Sequence, residues 1–455
     1  MAERRVALIV AALGAFVPPF MGSSFNIALP PIGREFSAGA VILGWLATIY
    51  LLASAVFLVP FGKLADIHGR KKIFLAGLVI YSLSSLLCGL TTSLEAFIAF
   101  RILQGAGAAA LFGTGVAILT SVFPPRERGR ALGINVSSTY IGLSLGPFLG
   151  GLITQYLGWR SIFFLNAFLS LTTAVLTWTN LKGEWKGEPG EKFDLTGSLF
   201  YAVALSGFMY GFSRLPQGIG WLFTVLGIAA LAAFVCWELR EQSPLLNIRL
   251  FQKNPAFTFS NLAALINYSA THAISFILSL YLQYAKGFLP GKAGTILVAQ
   301  PLMMAILSPL AGRASDRIEP RVLASSGMAL IVIGLLLLSL LGQNSPIEPL
   351  LAILALLGTG FALFSSPNTN AVMSSVEKRF YGVASAILAT MRLTGQMLSL
   401  GIATMVLGFF LGNTPVNPQT LPAFLRAMKI LFYLFAMLCF GGIFASLARG
   451  DVHES

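Results

Sequence analysis

Polar residues are sparse along this chain, and they cluster into short segments separated by long apolar runs. A membrane helix needs about 20 apolar residues, because a rise of 1.5 Å per residue must cross a hydrocarbon core of roughly 30 Å. Runs of that kind fall at 6–29, 40–61, 73–91, 95–121, 131–157, 161–180, 195–213, 219–238, 255–285, 292–312, 321–341, 347–371, 382–411 and 420–448. The pattern predicts an all-α polytopic membrane protein with fourteen spans. An even count puts both termini on one side of the membrane. The first run is longer than a signal-peptide core and leads directly into further spans, so it reads as an uncleaved first helix.

The polar segments carry the topology. Taken alternately from the N-terminus, one set of loops holds 21 of the 30 Lys and Arg residues, the other set holds 5 and four lie within spans. Cytoplasmic loops collect positive charge, so both termini are expected in the cytoplasm and the chain in the cell membrane. An added or missing span would break this alternation. Composition agrees: 56% of residues are hydrophobic and 10% charged, against about 25% charged in an ordinary soluble domain. A soluble enzyme, a nucleic-acid module and a secreted disulfide scaffold are excluded, and the formal net charge of +13 belongs to the cytoplasmic loops. Cys88, Cys236 and Cys439 lie in apolar runs without metal-ligand spacing and read as small apolar fillers.

Two segments that end a second span resemble each other, Pro60-Phe-Gly62-Lys-Leu-Ala-Asp66 and Pro309-Leu-Ala-Gly312-Arg-Ala-Ser-Asp316. Gly62 and Gly312 are 250 positions apart, as are Asp66 and Asp316, and Gly44 and Gly294. The offset corresponds to eight spans, so the two copies share one orientation. Six spans plus six with two inserted between them satisfies this. The expected organisation is a six-helix bundle over 1–180, two inserted helices with cytoplasmic linkers over 181–254, and a second six-helix bundle over 255–455.

Three stretches carry candidate chemistry. Gly62 through Asp66, Gly69, Arg70, Lys71 and Lys72 form a short connection in which the glycines allow a sharp turn, Asp66 can face a helix N-terminus and the cations can reach carbonyl ends or lipid phosphate. Arg101-Ile-Leu-Gln104-Gly105-Ala-Gly107 puts a guanidinium inside an apolar helix, which is costly unless it faces protein or water. Gly142, Gly146, Pro147, Gly150 and Gly151 present small residues at helical spacing, for close packing at a hinge, with Pro147 bending the helix. These stretches resemble three signatures of the major facilitator superfamily: the loop after span two, span four, and the antiporter segment of span five. The runs Gly158-Trp159-Arg160 to Asn166 and Tyr281-Leu282-Gln283 to Asp316 resemble its fourteen-span drug:proton antiporter branch. The resemblance implies a 6+2+6 major facilitator fold and export by alternating access. Two positions depart from the branch pattern. Asn26-Ile-Ala-Leu-Pro30 keeps the end of the span-one motif, but Met21 stands where an Asp is usual, and Ile67 replaces the usual Arg after Asp66.

All seventeen acidic residues can be assigned to termini, loops or span edges, whereas Arg101, His272 and Arg392 lie within spans. A cavity with this lining suits neutral, zwitterionic or anionic amphiphiles better than dications. Asn26, Gln104, Asn267, Tyr268, Arg392 and Gln396 are the candidate cavity residues. Gly62, Asp66, Gly69 and Arg70, with Asp316 and Arg317 in the second copy, are candidate gating residues. With the first-span carboxylate absent, His272 is the candidate proton carrier, since an imidazole titrates near neutral pH, and Arg101 would set the charge around it. A structural, neutral His272 is the alternative, as is proton carriage by Asp66, Glu35 or Glu95. Gly287-Phe-Leu-Pro-Gly291-Lys292-Ala293 is one residue short of a nucleotide loop and lacks its Ser or Thr. Transport would therefore be secondary, with small molecules, protons and the bilayer as partners and no nucleic acid, metal or cofactor. Three scattered histidines offer no catalytic constellation. The reading is a monomeric proton-coupled exporter; a metabolite importer or a lipid translocator of the same fold is the alternative.

Overall fold

The computed structural model describes residues 2–450 except 188–189, 216, 242, 247, 249–250, 252–253, 316, 378–380 and 413. Among the described residues, fourteen helices are long and apolar enough to cross a membrane. They are α1 (Glu3–Glu35), α2 (Ala40–His68), α3 (Arg70–Leu90), α4 (Leu94–Val122), α5 (Arg130–Leu157), α6 (Arg160–Asn180) and α7 (Leu195–Ser213). The remainder are α8 (Gly218–Glu238), α9 (Pro255–Ala285), α10 (Pro290–Ala314), α11 (Pro320–Leu338), α12 (Ile347–Ser374), α13 (Val383–Leu411) and α14 (Leu421–Leu447). Inside a bilayer every backbone N–H and C=O must be satisfied within the protein, which helices do residue by residue.

Helix starts are written locally. The side chains of Ser93, Asp194 and Asn254 accept from the backbone N–H of Ala96, Gly197 and Phe257, while proline occupies the first turn of α9, α10, α11 and α14. Several helices outrun their apolar stretch. The segment from Gly62 to Asp66, expected as loop, forms the last turns of α2, and the chain breaks only at Gly69, whose φ of 130° requires glycine. Likewise α1 continues past Leu29 to Glu35.

The chain divides into two compact units, Met1–Phe25 with Leu46–Leu246, and Asn26–Trp45 with Asn247–Ser455. In the first unit α3 packs on α4 and α6, and α7 on α8. In the second, α11 packs on α12 and α14, and α9 on α13, α14 and α12. The pairings of α3 with α4 and α6 recur in α11 with α12 and α14, eight helices later. Glycines mark the same duplication. Gly107 of α4 seats against the backbone of Tyr81 on α3, and Gly360 of α12 against Gly327 and Ile331 on α11; Gly105 seats on Tyr50 of α2, and Gly358 on Gln300 of α10. Gly77 and Gly327, which both meet the next helix, are 250 residues apart.

On α5, Gly142, Gly146 and Gly150 form one face, and a Cβ at any of them would run into α1 at Phe16–Phe20, Ser23 and Ser24 respectively. Ser24 Oγ donates to Gly146 O at 3.0 Å, tying the two helices where they approach. The partner of this glycine face is α1 of the same unit, with Pro147 and Gly151 buried beside it. Gly146→Leu or Gly150→Leu should cost about 1–3 kcal/mol by overpacking and lower both thermal stability in detergent and transport. Wild-type melting and flux in both variants would mean that α1 and α5 do not pack through these residues.

Candidate functional site

The connection after α2 is built around one ion pair. Asp66 Oδ1 accepts from Arg70 Nε at 2.9 Å and Nη2 at 2.8 Å, across the Gly69 turn, and Arg70 Nη1 donates to Ala117 O at 3.1 Å and Ser121 Oγ at 2.6 Å on α4. The pair thus pins the α2–α3 corner to α4. The first N–H groups of α3 would otherwise lack acceptors, since the Gly69 cap has no side chain. The linker after α6 supplies them: Arg70 N donates to Trp185 O at 2.9 Å and Lys71 N to Glu184 Oε1 at 2.9 Å. Lys63 pairs with Glu191 at 2.7 Å, and Gly183 N donates to Glu3 Oε1 at 3.0 Å. The sequence showed the Asp66–Arg70 spacing but gave no sign of this overlying strap. In the second copy Asp316 lies outside the described residues, Arg317 is exposed, and the Ser315 hydroxyl meets Asn370 Nδ2 at 3.0 Å.

Arg101 is 1% exposed. Its guanidinium lies over the rings of Phe25 and Tyr50, with centroids at 4.1 and 4.4 Å, and donates to Leu46 O at 3.3 Å and to Gln104 Oε1 at 2.5 Å. Gln104 Nε2 donates on to Ser85 Oγ at 2.7 Å, and Ser85 Oγ to Tyr81 O at 2.6 Å. Among the described residues, the groups that act on Arg101 electrostatically are Cys88, Tyr50 and Tyr81, none of them a carboxylate. Aromatic faces and carbonyl dipoles compensate the buried charge, an arrangement worth most when desolvated. Met21, at the position of the usual acid, is fully buried.

In the second unit α9 is irregular where polar residues concentrate. His272 forms a turn within it, half-buried, and the adjacent Ala273 N–H donates to Ser399 Oγ of α13 at 2.9 Å. Residues Tyr281–Ala285 form a π-helical turn, a local rearrangement that often marks functional sites. Tyr268 meets Phe361 edge-on at 5.4 Å, its hydroxyl is 3.5 Å from Ser365 Oγ, and Arg392 lies over its ring at 5.2 Å. Asn267 is fully buried with neither amide atom hydrogen-bonded among the described residues, while Gln396 is half-buried. Asn26 is buried on the α1 segment of this unit, where its carbonyl accepts from Ser279 Oγ at 2.6 Å and that of Ile27 from Gln283 Nε2 at 2.9 Å. Of the expected cavity residues, the structure therefore brings Tyr268 and Arg392 together and places Asn26 with α9. Gln104 belongs to the Arg101 network of the first unit.

A model of the Major Facilitator Superfamily matches residues 11–392 and 260–454. The riboflavin transporter RibZ of Clostridioides difficile is 30% identical over 97% of each chain. The multidrug resistance protein Stp of Mycobacterium tuberculosis is 32% identical over 90% of this chain and 77% of its own, and the cephamycin export protein CmcT of Amycolatopsis lactamdurans 32% identical over 99% and 95%. A bacterial homologue of the human lysosomal transporter Spinster, solved in an inward-facing, unoccupied conformation, matches with a TM-score of 0.73 over 98% of this chain and 97% of that one, at 16% identity, which shows the fold. With fourteen membrane helices, the duplicated packing and these matches, the chain belongs to the major facilitator superfamily of multi-pass membrane transporters.

Proposed function

We propose that this transporter is a proton-driven exporter of amphiphilic small molecules, working as a monomer by alternating access in the cytoplasmic membrane with both termini inside. The two moving parts would be the bundles 1–180 and 255–455, with 181–254 as the insert between them. The observation that carries the reading is the α5 face: the segment resembling the antiporter signature puts three glycines against the backbone and serines of α1. Relatives named for multidrug resistance and antibiotic export point the same way. The acids of the spans lie at or near their ends, while Arg101 and Arg392 lie within them, so the favoured cargo is neutral, zwitterionic or anionic. A second reading, movement of a vitamin-like metabolite, is favoured by the riboflavin transporter among the relatives; lipid translocation is the further alternative within the fold.

Gating falls to the Gly62, Asp66, Gly69 and Arg70 corner and its second copy at Asp316 and Arg317. Asp66→Asn keeps the size of the side chain and removes half of the Arg70 pair. It should leave expression intact, raise labelling of cytoplasmic-side cysteine probes and reduce transport severalfold; unchanged labelling with unchanged flux would remove the corner from the gate.

Proton coupling falls to His272, beside the break in α9, with Arg101 fixing the charge of the first bundle. The test uses everted membrane vesicles with an imposed pH gradient and a panel of amphiphiles that includes riboflavin. Accumulation that collapses with a protonophore supports export, and its absence across the panel counts against it. In His272→Gln, gradient-driven flux should fall at least about tenfold while substrate exchange at zero gradient survives. Equal loss of both would give His272 a structural or binding role, and loss of neither would exclude it from coupling.

A further inference from the structure

The cytoplasmic end of the inserted hairpin α7–α8 holds two carboxylates that the transport mechanism does not use. Asp194 caps α7: its Oδ1 accepts from Gly197 N at 2.8 Å, and its two oxygens accept from Trp237 Nε1 at 3.2 and 3.0 Å. The carboxyl thus takes one backbone donor and one indole donor. Glu238, the last residue of α8, is 4% exposed. Its Oε2 accepts from Leu246 N at 2.8 Å, which folds the linker leaving α8 back onto the hairpin. Its Oε1 has no hydrogen-bond partner among the described residues.

That unpartnered oxygen lies near Asp194. A Cβ built on the buried Gly197 would lie 2.8 Å from Glu238 Oε1 and closer still to Asp194 Oδ2. The two carboxyl oxygens are therefore no more than about 5 Å apart. Gly197 has no side chain to separate them. Among the described residues, the other charged group acting on Glu238 is Glu241 in the turn that follows, and both of these neighbours are acidic. Lys192 and Arg240, the adjacent cations in sequence, are exposed. On α2, Ala55 O accepts from Tyr201 OH of α7 at 3.3 Å, and Lys63 pairs with Glu191. Two ionised carboxylates this close would repel, whereas a proton on Oε1 removes the repulsion and gives the buried Glu238 a donor.

We propose that Glu238, beside Asp194, is a proton-binding site that latches the linker at Leu246 to the inserted hairpin: a proton on Glu238 closes the latch and its loss releases the linker. The site is separate from the proton coupling assigned to His272 and holds whichever ion drives transport. Because the linker leads to the second bundle, the latch would make its tether respond to cytoplasmic pH.

Hydrogen exchange on the purified full-length protein in lipid nanodiscs, corrected for the intrinsic pH dependence of exchange, tests this. Protection of the Leu245 and Leu246 amides should fall by about tenfold or more between pH 6 and pH 9. Glu238→Gln, which keeps the acceptor and supplies a permanent donor, should hold the acidic level of protection at every pH, and Glu238→Ala should lose it at every pH. On the unmodified protein, an infrared band of a protonated carboxyl should titrate with the same midpoint as the protection. Flat protection in the wild type, a Glu238→Gln variant that still titrates, or protection abolished by a chelator at constant pH would overturn the proposal, the last by showing a bound metal cation instead of a proton.

Discussion

The bilayer offers the backbone no hydrogen-bond partner, and the rest of the structure follows from that constraint. It makes every crossing a helix and removes the hydrophobic drive between helices, leaving close packing and a few polar contacts to join them. Glycine therefore does here what large apolar side chains do in a soluble core. Gly105, Gly107, Gly142, Gly146 and Gly150 in one unit, and Gly327, Gly358 and Gly360 in the other, bring backbones into contact where any Cβ would collide. The serines beside them, such as Ser54 donating to Gly105 O at 3.0 Å, tie these approaches by hydrogen bonds to carbonyls across the seam.

The same constraint decides how charge is carried inside. Among the described residues Arg101 has no carboxylate neighbour and is held between two aromatic rings, a carbonyl and an amide, which compensate its charge without an ion pair. The acids are kept at helix ends, where each does a local job: Asp66 clamps Arg70 across a glycine turn, Asp194 caps α7, and Glu184 caps α3 from a distant linker.

The fourteen spans and the duplication are legible in the sequence because both are set by spacing: the length of apolar runs, and offsets of 250 residues between like positions. Helix ends are less legible. Hydropathy stops at residue 61 in α2 while intrahelical hydrogen bonds continue to His68, since charged side chains at the water boundary do not oppose helix formation. Arg101 stands out from its cost alone, but Phe25, Tyr50 and Ser85, its surroundings, come from three other helices and leave no local mark. Glu238 sits at a span edge in the sequence and would be read as solvated. Its burial depends on a linker that folds back from Leu246, and one sequence has no pattern for that.

The central claim is that substrate leaves as protons enter, through a fold in which no carboxylate occupies the usual first-span position. The most direct measurement follows pH and labelled substrate together in proteoliposomes of the purified protein, with membrane potential clamped. The account predicts that a proton gradient drives substrate in the opposite direction and that substrate addition alone moves protons against its own flow. Protons moving in the same direction as substrate, or substrate flux with no proton movement, would contradict it.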